Sequence, residues 1–91
     1  MTRVAILVQI DATDLFENEN ANWQWCVDNA TFAHHDACEF IVHIGHEPDA
    51  DDSPFRRTVA RMADFGCTDE FLLACREAAG LGASWVLFYA A

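Results

Sequence analysis

The chain has 91 residues, 53% of them hydrophobic and 22% charged, with 15 Asp plus Glu against 5 Arg, no Lys, and a formal net charge of −10. That length suits a single domain over residues 1–91 with a modest core, and the apolar content argues against wholesale disorder. The acidity argues against direct binding of a phosphate backbone, which needs clustered cations to displace counterions, and against an anionic membrane surface.

The first ten residues superficially resemble a signal peptide. Their apolar run is short, is broken by Gln9, and meets Asp11 where a small-residue cleavage site would lie. No run reaches bilayer length, so the expected location is cytoplasmic. Cys26, Cys38, Cys67 and Cys75 are then expected as reduced thiols packed like small hydrophobes.

Residues 3–10 predict a strand with Val4, Ile6, Val8 and Ile10 on one face, and Ala5 and Leu7 on the other. Apolar residues on both faces predict an interior position in the sheet. An acidic, Asn-rich connection follows over 11–22, with Leu15 and Phe16 as the apolar residues that would pin it down. Alternation from Trp23 to Asp28 predicts a second strand, with Trp23, Trp25 and Val27 sharing a face. Residues 29–37 read as a loop or wide hairpin connection. A third strand is predicted from Cys38 to Ile44, its core face formed by Cys38, Phe40, Val42 and Ile44 and its end marked by Gly45.

After an exposed acidic loop over 46–52, Ser53-Pro54 has the form of an N-cap followed by proline at the first helical position. Phe55, Val59, Met62 and Ala63 would be the buried stripe of that helix, and Gly66 its stop. Thr68 would cap a second helix, with Asp69 and Glu70 where the helix dipole favours anions. Phe71, Leu72, Cys75, Ala78 and Ala79 form its apolar face, and Gly80 closes it. Residues 84–90, aromatic-rich and continuous, predict a buried last strand returning beside the first. The expected fold class is α+β: a mostly antiparallel four-stranded sheet with two helices on one face, in the order β-β-β-α-α-β.

Charge is unevenly spread. Residues 1–53 carry eleven acids against Arg3, whereas residues 54–91 carry four acids and four arginines. Two clusters dominate: Asp11, Asp14, Glu17 and Glu19, and then Glu47, Asp49, Asp51 and Asp52. In a three-strand meander both clusters would emerge at the same end of the sheet and merge into one negative pole. Such a pole would steer a basic partner, and these eight residues are the expected partner-binding set. Solubility alone is the plainer explanation of such loops, and pairing with Arg56, Arg57 and Arg61 would neutralise part of them.

His34, His35, Cys38, His43 and His46, with Cys26, raise the alternative of a metal-binding module. No Cys-x-x-Cys is present, and Cys38 and His43 would point to opposite faces of one strand, so neither metal nor cofactor is expected. Cys67 is the cysteine best placed for a nucleophile, at a helix start, yet no histidine accompanies it in sequence. No catalytic motif is present, and an enzyme is not expected. Three tryptophans in so short a chain, and Leu73 off the main stripe of its helix, leave room for a protein contact; a small homodimeric regulatory protein is a further alternative.

In size, absence of lysine, acidity and α+β plan, and loosely in Trp23-Gln24-Trp25 with Asp28, the chain resembles the phage-encoded inhibitors called anti-CRISPR proteins. The likeness covers the general character of the whole chain rather than a motif. It implies an inhibitor, in some members a nucleic-acid mimic, that occupies a basic groove of a CRISPR effector complex. It assigns no role to individual residues.

Overall fold

The structure, a computed structural model, describes residues 7–34, 38–45 and 47–90. The first strand, β1 (Leu7–Asp11), ends one residue later than expected, and the earlier part of the predicted strand lies outside the described residues. The connection after it is pinned as expected. Phe16 is buried, meeting Phe40 edge-on at 5.7 Å and Phe88 at 6.3 Å.

Residues 23–28 are not a strand; they lie within a helix, α1 (Ala21–Asn29). Asn20 has extended backbone, and its side chain accepts from the Trp23 N–H at 3.2 Å, which satisfies one of the open donors at a helix start. Asn22, Trp25 and Cys26 share one buried face at helical spacing. The alternating tryptophans thus coincide with a longer period, and with them goes the strand-like part of the resemblance noted above.

A short strand, β2 (Phe32–His34), lies in the stretch expected as a loop and pairs antiparallel with β3 (Glu39–His43). Phe40, Val42 and Ile44 are buried as expected. Cys38 falls outside the strand, half-buried and with left-handed backbone, φ +49°.

The local signals in the second half hold except at Gly80, which is the last helical residue while Leu81 takes the cap position. In α2 (Pro54–Phe65), Ser53 accepts from the Arg56 N–H at 3.1 Å, and Gly66 stops the helix in left-handed backbone at φ +107°. Phe55 and Met62 are buried, but Thr58 rather than Ala63 completes the face, and Ala63 is exposed. Thr68 caps α3 (Asp69–Gly80), which buries Phe71, Cys75, Ala78 and Ala79. The last strand is β4 (Trp85–Tyr89).

The α+β class and the number of strands are as expected, although one predicted strand is α1 and β2 was not foreseen; among the described residues the order is β-α-β-β-α-α-β, with three α-helices. The sheet runs β1-β4-β3-β2 and is mixed: β3 is antiparallel to both neighbours, and β1 is parallel to β4. The last strand does return beside the first. However, β1 is an edge strand among the described residues, not an interior one.

Two close fits hold the helical layer. Asn22 is fully buried: its amide nitrogen donates to the Leu15 carbonyl and the Thr68 hydroxyl, each at 2.9 Å, and its oxygen accepts from the Thr68 N–H at 2.9 Å. One side chain therefore ties α1 to the preceding loop and to the start of α3. At Gly45, φ +88°, a Cβ would lie 2.6 Å from the Phe55 nitrogen and 2.7 Å from the Pro54 carbonyl carbon, so the end of β3 passes directly against the start of α2. At Gly66 the nearest atom to such a Cβ is Ala21 Cβ, 3.8 Å away.

Gly66→Ala is expected to cost about 1–2 kcal/mol from left-handed backbone alone, and Gly45→Ala to cost clearly more because it adds a backbone clash; urea unfolding of both variants checks the order. Asn22→Leu is expected to cost about 2–3 kcal/mol by removing the three hydrogen bonds that the buried Asn22 side chain makes to Leu15 and Thr68, read as a lower urea midpoint at unchanged slope.

Candidate partner-binding surface

Strand parity divides the sheet into two unlike faces. Val8, Ile10, Phe40, Val42, Val86 and Phe88 fall on one parity by their register and join side chains from all three helices in one core. Phe71 of α3 stacks on Phe88 at 4.8 Å. The opposite parity carries Leu7, Phe32, Ile41, Trp85, Leu87 and Tyr89. None of these belongs to the buried core. Leu7 is 45% exposed and Phe32 66%; the other four are half-buried by their neighbours in the sheet. Phe32, Ile41 and Leu87, with His34 and Glu39, line a shallow cleft of about 220 Å³ on β2, β3 and β4. His43 and Trp85 face each other across the strands with ring centroids 4.7 Å apart.

The eight acidic residues expected to bind a partner are all exposed. Their expected merger into one pole does not occur. Asp11, Tyr89 and Glu39 are register partners at one end of the sheet, whereas Leu7, Trp85 and His43 are partners at the other. The loop with Asp14, Glu17 and Glu19 leaves after Asp11, and the loop with Glu47, Asp49, Asp51 and Asp52 leaves after His43, so the clusters start from opposite ends, about 13 Å apart over four strand steps. The unforeseen strand β2 explains the error: α1 returns the chain to the end that a strand at 23–28 would have reached, and β2 then adds one more reversal before β3.

The loops also serve local structure. Asp11 accepts from the Thr13 hydroxyl at 2.6 Å and from the Thr13 N–H at 3.0 Å, and these bonds hold its carboxyl below the ordinary carboxylate range. Arg56 reaches back to Asp51 at 3.6 Å and donates to the Pro48 carbonyl at 3.2 Å. That is an exposed pair of little energetic weight, and it neutralises a single carboxylate of the cluster. Arg57 has no ion pair among the described residues, so the expected pairing of the helix arginines with the loops is met by Arg56 alone.

Among the described residues, no three His, Cys, Asp or Glu side chains are grouped to hold a metal ion; His35 and His46 of the earlier metal set lie outside those residues. All four cysteines are free. Burial pushes the Cys67 thiol up to about 11, the reverse of what a nucleophile at a helix start requires. Burial also raises Cys75 to about 12, and it raises Cys26 further, with smaller contributions from the neighbouring Cys75 and Cys67. No helix among the described residues is long and apolar enough to cross a membrane.

Sequence parity could have revealed the bare face, since Leu87 and Tyr89 alternate with Val86 and Phe88 and both sets are bulky. What was missing was the knowledge that all helices pack on one side. No protein-family model, curated protein or solved structure matches the chain.

The raised thiol values carry a pH signature. Because the folded values lie above the ordinary 9.0, the thiols' stabilising contribution is fully present below pH 9 and is lost as pH rises through the folded values toward 12. Urea-unfolding stability is expected to fall over that window, less steeply in a Cys26→Ala/Cys75→Ala variant. Near neutral pH, a thiol-specific reagent should leave Cys26 and Cys75 unmodified until the protein is unfolded.

Proposed function

We propose that the protein binds another protein through the bare face of its sheet, as a small acidic inhibitor of the anti-CRISPR kind directed at a basic, nucleic-acid-binding surface. The supporting observation is the face that the described residues leave uncovered: Phe32, Ile41, Leu87, Trp85 and Tyr89 lie side by side on three adjacent strands, β2, β3 and β4, while the described helices pack on the opposite face. Contiguous apolar surface of this kind is characteristic of interaction sites, and aromatic side chains dominate binding hot spots.

Charge selects the class of partner. Acidic loops leave both ends of the sheet, and eleven of the fifteen acids belong to the half of the chain that supplies three of its strands. A surface with apolar contacts between flanking cations complements this arrangement, with the loops steering encounter and the sheet face holding the complex. The same charge works against a second copy as the occupant, because two chains of −10 would have to approach face to face.

The test is binding to a panel of purified CRISPR effector complexes by biolayer interferometry, with and without competing DNA. A Phe32→Ala/Leu87→Ala variant is expected to bind at least about tenfold more weakly, while Leu73→Ala, 55% exposed on α3, binds as the parent does. Reversing Asp49, Asp51 and Asp52 to Lys should slow association and flatten its salt dependence more than reversing Asp69 and Glu70. Absence of binding across the panel, or equal losses in the Leu73 and sheet-face variants, would reject the reading.

A further inference from the structure

Positive charge has a location of its own in this acidic chain. Four of the five arginines lie in the helical half, and two of them, Arg57 and Arg61, line a cleft of about 520 Å³ with His43, Gly45, Pro54, Thr58 and Ala60. The two guanidiniums stem from positions one helical turn apart on α2, close enough for both forks to reach one tetrahedral oxyanion. Like charges at that spacing repel, and among the described residues no carboxylate pairs with either.

The walls are held in place. The Thr58 hydroxyl donates to the Pro54 carbonyl at 3.0 Å, which leaves its oxygen to accept from Arg61 at 3.5 Å. Gly45 admits the start of α2 against the end of β3, which brings His43 and the two arginines to the same cleft. Pro54 begins a twelve-residue helix, so the positive end of its dipole opens on this side, and no acidic residue occupies its first turn. The first turn of α3, by contrast, carries Asp69 and Glu70.

We infer that this cleft binds a phosphorylated small molecule, its phosphate held by Arg57 and Arg61 with His43 at the rim. The volume lies in the range of small-molecule sites and exceeds what a lone ion needs. The net charge does not forbid an anion here: Asp51 is already paired with Arg56, the nearer acids Asp52 and Asp64 neither line the cleft nor pair with Arg57 or Arg61 among the described residues, and carboxylates beyond a Debye length are screened at physiological salt. Nothing in this inference depends on the sheet face opposite the helices, and the two can fail separately.

The test is a proton–nitrogen NMR titration of the full chain with inorganic phosphate at constant ionic strength, with acetate as the comparator. Saturable shifts of the His43, Gly45, Thr58 and Ala60 amides are expected with phosphate and not with acetate. An Arg57→Ala/Arg61→Ala variant, both side chains being exposed, should keep its dispersed spectrum and bind at least about tenfold more weakly. Arg56→Ala and Arg76→Ala, whose side chains do not line the cleft, should titrate as the parent does. Unsaturable drift, equal weakening in all the arginine variants, or an acetate response matching that of phosphate would overturn the assignment.

Discussion

The open face follows from one constraint: β1, β3 and β4 carry bulky apolar side chains on both parities, and the described helices cover a single face. Val86 and Phe88 enter the core, while Trp85, Leu87 and Tyr89 of the same strand do not. Among the described residues three α-helices are available to cover the sheet, and Asn22 and Gly45 lock all three into one layer. Covering the second face would need further elements or a partner. The bare face is therefore a consequence of the topology, whatever occupies it.

Features set by neighbouring residues were legible in the sequence; those set by distant pairing were not. Ser53-Pro54, Thr68 and Gly66 act through bonds within a single turn, and each does in the fold what its residue type favours. Trp23 to Asp28 offered six residues of alternation, too few to separate a period of two from one of 3.6. Asn20, a favoured N-cap residue, was the available clue, and it mattered only to a reader already considering a helix. That local error propagated. Replacing a strand with α1 and adding β2 inverts the direction of β3, which moves an acidic loop from one end of the sheet to the other.

The cysteines show the same division between composition and context. Their even number is compatible with disulfides, and the helix start at Cys67 with a reactive thiolate. Burial decides against the second reading, because a charged sulfur in that surround costs more than the helix dipole returns. Cys26 and Cys75 behave as small apolar side chains that close the core between α1 and α3.

Charge and apolar surface are segregated in a way that a purely solubilising role does not require. Solubility is served by carboxylates spread over all exposed positions, yet the helical half is balanced and gathers three of its four arginines on α2. Arg56 meets the loop, whereas Arg57 and Arg61 turn to a separate cleft. The molecule thus presents an apolar sheet between acidic ends and, beside its second helix, a small cationic recess. These surfaces have opposite chemistry, and on the two readings proposed above they would take different ligands, a macromolecule with basic character for one and a compact anion for the other. The end of β3 is common to both, since His43 contacts Trp85 on the open face and also lines the recess. An occupant of either surface would thus bear on the same imidazole, the one place where the two could influence each other.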